Sequence, residues 1–145
     1  MTETESALPI AGYHAHIYYD AATRARAERL RERLAAGFPE ARLGRWHDVP
    51  VGPHTQAMYQ VAFPAASLAR LFPWLLLNRD GLAVLLHPET GDDLADHTAH
   101  AAWMGAMLPL NLAALASPAG PPEVAPLSAD ELERFAADSI RERDA

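Results

Sequence analysis

The chain has no cysteine and no lysine in its 145 residues. The missing thiol removes thiolate-held structural zinc, iron–sulfur clusters and cysteine nucleophiles from consideration. The missing amine removes Schiff-base chemistry, a lysine general base and a phosphate-cradling P-loop. All twelve cationic side chains are arginine, as in an arginine- and alanine-rich composition, and the formal net charge is -7. A surface of that sign does not suit nucleic acid, whose phosphates need a basic face. No run approaches the roughly twenty apolar residues of a membrane span; a stretch such as Phe72 to Leu77 is far shorter. The first residues, Met1 to Glu5, are acidic and polar, unlike a secretory leader, so a cytoplasmic location is expected.

What the chain does have is histidine in short, motif-like settings. His14 and His16 stand in Y-H-A-H-I-Y, His54 in P-V-G-P-H, His87 in L-L-H-P-E-T-G-D-D and His97 in A-D-H-T. Neutral imidazole is the commonest protein ligand for transition metals. His47 and His100 read as structural or surface residues.

The pattern along the chain predicts one α+β domain. Residues 1–10 are expected to be a disordered lead, 11–116 the folded domain, and 117–145 a proline-rich linker followed by an acidic amphipathic helix. Gly12 to Asp20 alternates as a strand, with Tyr13, Ala15, Ile17 and Tyr19 on one face and His14, His16 and Tyr18 on the other. Ala21 to Ala36 reads as a helix capped by Asp20, with Ala27, Leu30, Leu34 and Phe38 on its buried stripe. Strands are predicted over 42–49 and 55–63, then a helix over 65–77 interrupted near Pro73, then an apolar strand over 82–87. A short helix is expected within 94–107, and 108–115 is ambiguous.

The order β-α-β-β-α-β is ferredoxin-like: a four-stranded antiparallel sheet, order 4-1-3-2, with both helices on one face. The apolar faces of the first and third strands must meet the helices, so His14 and His16 point to the open side. Two positions apart on a strand is roughly 6.5–7 Å, close enough for both rings to grip one ion. The fourth strand brings His87 toward His14, giving a three-nitrogen set, and His54 shares their parity. A lone strand histidine is more often a hydrogen-bonded surface residue, so the weight falls on the convergence.

Taken together, Y-H-A-H-I-Y-Y-D, P-V-G-P-H, W-L-L-L-N-R-D-G-L, H-P-E-T-G-D-D and D-H-T-A-H-A-A-W resemble the DOPA 4,5-dioxygenase family, over about Gly12 to Gly105. The resemblance implies a ferredoxin-like fold and extradiol cleavage of a catechol such as L-DOPA by O₂, with non-haem Fe(II). It carries functional roles onto His14, His16, His54, His87 and His97. We assign metal binding to His14, His16 and His87, and acid–base work to His54 and His97. Iron triads usually include a carboxylate, and Glu89, Asp93 or Asp96 could replace one histidine. Arg79 and Arg45 are candidate anchors for a substrate carboxylate through a forked contact. Zinc or nickel could substitute for iron in crystals. The exposed face needs a cover, either the segment from Pro88 to Ala116 or a second subunit, and a homodimer is expected. Two other classes fit the same residues: a non-catalytic ferredoxin-like dimer binding a small aromatic or a metal, and a zinc-dependent hydrolase or isomerase.

Overall fold

In the computed structural model, residues 10–115 are described. The disordered lead, the linker and the C-terminal helix expected from the sequence fall outside them, apart from Ile10 at the lead's end. The elements run β1 (Gly12–Tyr18), α1 (Arg24–Gly37), β2 (Arg42–Leu43), β3 (Met58–Pro64), α2 (Leu68–Asn78), β4 (Val84–Pro88), α3 (Asp93–Asp96) and β5 (Ala102–Met104). The sheet order is β2-β3-β1-β4-β5. This is the predicted ferredoxin-like order with one strand added at the β4 edge. No described helix is long and apolar enough to cross a membrane.

The alternation in β1 and β3 sorts the sheet's two faces. Ala15, Ile17, Tyr59, Val61, Phe63, Val84 and Leu86 join Ala27, Leu30, Leu34, Leu71 and Leu75 of the helices in the main core. Burying side chains of this size stabilises by roughly 1.5–3 kcal/mol each before entropy is counted. The residues of opposite parity therefore face away from the helices. There a second, smaller core forms: Tyr18, Met58 and Leu85, with Trp103, Leu108 and Leu110 packed over them. The segment from β5 onward thus covers one end of the open face and leaves the His14 end uncovered by this small core.

Four expectations change in detail. The second strand is only two residues long, because Trp46 turns back among Tyr19, Tyr59 and the arginines of α1. Asp20 does not cap α1 directly. Its carboxylate accepts from the Thr23 N–H and hydroxyl in the turn before the helix, and the N-cap position, Thr23, makes no side-chain cap bond. Pro73 lies inside α2 without ending it. It is on the exposed side, as is Ala69, whose carbonyl loses its helical donor there. The short helix expected within 94–107 is the four-residue α3, and β5 follows it.

Candidate metal centre

The site begins with the sheet register. His14 pairs with Ala62 of β3 on one side and His87 of β4 on the other, and His16 pairs with Gln60 and Leu85. Paired residues share a face, so His14, His16 and His87 project together. The His16 and His87 Nε2 atoms are 3.0 Å apart.

Two further imidazoles arrive from loops. His54 closes a tight turn in which its amide and carbonyl each bond to Val51, with Gly52 at φ 55° in the left-handed region. The strand-like pairing of His54 with Leu110, Thr55 Oγ1 donating to the Pro109 carbonyl and Asn111 N–H donating to the Pro53 carbonyl tie this loop to the covering segment. His97 ends α3, which Asp92 caps by accepting from the Ala95 N–H. Asp96, wholly buried, accepts from the Thr90 N–H at 2.9 Å and the Thr90 hydroxyl at 2.6 Å. That bracket folds the 89–97 stretch so that its histidine returns over β4. Ring centroids stand 4.2 Å apart for His16 and His54, and 4.1 Å for His87 and His97.

The outer nitrogens are held by oxygen. His87 Nδ1 donates to the Pro88 carbonyl at 2.9 Å, and His97 Nδ1 donates to the Asp93 carbonyl at 2.7 Å. A carbonyl only accepts, so both rings keep the Nε2 lone pair free. His14 Nδ1 lies 3.1 Å from a Glu89 carboxylate oxygen. His54 Nδ1 meets the Tyr18 hydroxyl at 2.6 Å. His16 alone has no oxygen partner: its Nε2 faces His87 and its buried Nδ1 has no partner.

Electrostatics keeps His14, His16, His54 and His87 unprotonated. Burial, then the other histidines, pulls His16 well below its ordinary value. Burial and His97 bring His87 to about 4; burial, then His97 and His87, bring His54 to about 4. His14 moves the same way, chiefly through burial, although 21 % of its side chain remains exposed. The cluster therefore offers lone pairs and repels protons.

Two overlapping sets of three can converge on a cation: His14, His16 and His87, and His16, His54 and His97, each with ligand atoms within 4.8 Å of one another. The fit is chemical as well as spatial. Nitrogens about 2.1 Å from one ion at a right angle lie about 3.0 Å apart, the His16–His87 separation. His16, common to both sets, is the ring without an oxygen partner.

All five histidines singled out in the sequence come together here. Among the three carboxylates considered, Asp93 is exposed and Asp96 is engaged by Thr90. Glu89 reaches the cluster, but on the outer nitrogen of His14. Arg45 is exposed between β2 and β3. Arg79 donates to the Leu76 carbonyl at the end of α2, with its guanidinium against Gly105. Neither arginine hydrogen-bonds or pairs with a histidine of the cluster. The sequence reading placed Tyr18 on the open face but gave it no role. Its shared parity with His14 and His16 was the available signal.

Burial, then Asp93 and Asp96, raises the Glu89 carboxyl to about 7. A cation among the neighbouring rings favours its ionised form. Loading metal at pH 7 is therefore expected to release a fraction of a proton per site, and Glu89→Gln to release none. Because His14, His16, His54 and His87 are already neutral, comparing proton release on metal titration into the two unbuffered proteins isolates Glu89; equal release from both would refute the assignment.

A model of the Dopa 4,5-dioxygenase family matches residues 13–114. The chain belongs to that family. It is 37 % identical over 111 residues to a DOPA 4,5-dioxygenase of Amanita muscaria, covering 71 % of this chain and 49 % of the relative. It is 38 % identical over 111 residues to an uncharacterized protein of Botryotinia fuckeliana, covering 69 % of this chain and 61 % of that one. The matched region thus spans about half to three-fifths of these relatives' length. A crystal structure from Nostoc punctiforme, provisionally assigned as a dioxygenase, superposes with a TM-score of 0.74 at 53 % identity, covering 77 % of this chain and 96 % of that one. The ferredoxin-like expectation and the family resemblance agree with these matches.

Proposed function

We propose that this chain is a metal-dependent dioxygenase that opens a catechol ring in the extradiol manner, using O₂, at the five-histidine pocket. The observation that carries the reading is the convergence of four other imidazoles around the buried His16, which lacks any oxygen partner. The dioxygenase relatives supply the reaction class.

His14, His16 and His87 would hold Fe(II), since all three stand on paired strands and are fixed by the sheet. Fe(II), when bound, supplies a shared centre for a catecholate and O₂ and lets electrons pass between them. The remaining work falls to the protein. His97, with its Nδ1 proton committed to the Asp93 carbonyl, keeps a lone pair on Nε2 and accepts the proton that a catechol hydroxyl must lose. His54 has the complementary tautomer. Burial pushes the Tyr18 phenol up, so it stays protonated, and its hydroxyl makes no other hydrogen bond among the described residues. Tyr18 therefore donates to Nδ1 of His54, which leaves the His54 proton on Nε2, available for donation when the O–O bond breaks. The covering segment, through Trp103 stacked on Tyr18, excludes water from that end.

Tyr18→Phe keeps the aromatic stack and removes the donor. Turnover is expected to fall about 10- to 100-fold, with metal content and KM unchanged. An unaltered kcat would remove Tyr18 from the proton path. The reading as a whole is tested by oxygen uptake with a catechol panel on Fe(II)-loaded protein. Uptake with a yellow ring-opened product is expected. Ligand binding without uptake would point to a non-catalytic module, and anaerobic activity with zinc to another enzyme class.

A further inference from the structure

The helix side of the molecule, away from the histidines, carries a cationic cleft. In α1, Arg26, Arg29 and Arg33 recur at helical spacing on one stripe. That stripe meets the turn between α2 and β4, and together they enclose a cleft of about 240 Å³. Its walls are the three arginines, Leu77, Asn78 and Asp80, over Leu30 at the edge of the main core. The turn takes this shape because Asp80 and Gly81 both sit at positive φ, 56° and 78°. The Arg26 guanidinium lies against Gly81, its Nη1 3.8 Å from where a Cβ would stand.

The three guanidiniums are held to different degrees. Arg33 is fixed: it donates to Asn78 Oδ1 at 2.8 Å and lies over the Trp74 ring, while Asn78 Nδ2 donates to the Trp74 carbonyl. Arg29 is loose: it stands 4.0 Å from an Asp80 carboxylate oxygen, and both side chains are more than half exposed. Water screens such a pair. Arg26 has no hydrogen bond or ion pair among the described residues. Like charges on one helical stripe repel one another, and here three guanidiniums face a single carboxylate, on a chain of net charge -7.

We propose that this cleft binds a small molecule carrying a diphosphate group, which takes the place of the Asp80 carboxylate beside Arg29. Arg26 and Arg33 are seven residues apart, about 10.5 Å along the helix axis, a span that two joined phosphates fill better than one. Guanidiniums clasp phosphate oxygens with paired hydrogen bonds. Leu77, 86 % exposed, offers apolar contact to the organic part of the ligand. The cleft and the histidines lie on opposite sides of the sheet, so this inference stands or falls apart from the ring-opening reading.

The test is calorimetric titration of the full-length, metal-free protein with pyrophosphate at about 0.1 M ionic strength, where distant surface charges are screened. Saturable binding at one site is expected, with orthophosphate and citrate weaker by about 10-fold or more. Arg26→Gln and Arg29→Gln are each expected to weaken pyrophosphate by about 10-fold. Both positions are exposed, so folding should be unchanged. Asp80→Asn removes the competing charge and keeps a residue that tolerates positive φ; it is expected to tighten binding by about 3- to 10-fold. Arg70→Gln, at an exposed arginine outside the cleft, serves as the control and should leave binding as it is. Amide resonances of residues 26–33 and 77–81 are expected to shift with pyrophosphate, and those of His14 and His16 to stay in place. No saturable binding, equal weakening by Arg70→Gln, no tightening by Asp80→Asn, or shifts centred on the histidine strands would overturn the site. Citrate binding as tightly as pyrophosphate would overturn the assignment to a diphosphate.

Discussion

His16→Ala is expected to abolish metal retention and, with it, turnover. Its ring belongs to both possible ligand sets and is only 3 % exposed, so its loss leaves two histidines in either set. Two imidazoles without a third donor do not hold a divalent ion against buffer exchange. His14→Ala and His87→Ala are expected to behave similarly. His54→Gln and His97→Gln are expected to keep the metal and lose about 100-fold or more in kcat, the scale of a missing acid or base. Elemental analysis after gel filtration separates the two groups. Metal kept by His14→Ala but lost from His97→Gln would transfer the ligand role to the His16, His54 and His97 set. Unfolding does not confound the result. His16 contributes an unpartnered buried nitrogen, which costs about 1–3 kcal/mol, so deleting the ring offsets part of the cavity cost. The metal-free variant should lie within about 2 kcal/mol of the metal-free parent in denaturant. A site that destabilises its own empty fold is what a preformed cation pocket looks like.

The parity of β1 shows which parts of this architecture can be read in advance. Strict alternation over Tyr13 to Tyr18 sorts apolar from polar residues, and a one-residue slip would bury both histidines against the helices. The faces of β3 and the sheet order follow from the same constraint. What alternation cannot reveal is structure made by contacts distant in sequence. Ala102 to Met104 becomes a strand because β4 presents a free edge, not because Ala-Trp-Met favours one. His97 reaches the cluster because a buried Asp96 grips Thr90 six residues earlier, a pairing with no periodic signature. Tyr18 and His54 are joined by a turn whose direction Gly52 sets.

The metal-free protein is expected to lose stability steeply as pH falls from about 6.5 to about 4. The sign follows from proton uptake. In the unfolded chain a histidine takes its proton near 6.5; in the fold, burial and neighbouring rings hold His87 and His54 down to about 4. Between those values the unfolded state binds more protons, so acid favours it. Above 6.5 neither state is protonated and these groups contribute nothing to the slope. A depression of this size corresponds to about 3 kcal/mol for His87, which is 1 % exposed. The contributions do not add, because each ring's shift includes repulsion by the others. Glu89 opposes the trend. Its carboxyl is raised to about 7, so the fold gains a proton there between about 7 and 4.5, but one carboxyl faces several histidines. Denaturant midpoints followed by circular dichroism should therefore drop between pH 6.5 and pH 4.5 in metal-free protein. They should hold to lower pH once metal is loaded, because the ion occupies the lone pairs that protons would take. Replacing His54 with phenylalanine, which cannot titrate, should flatten the metal-free curve. A metal-free protein equally stable at pH 7 and pH 4.5 would mean that water already reaches these rings, and the dry pocket on which the chemistry depends would be lost with it.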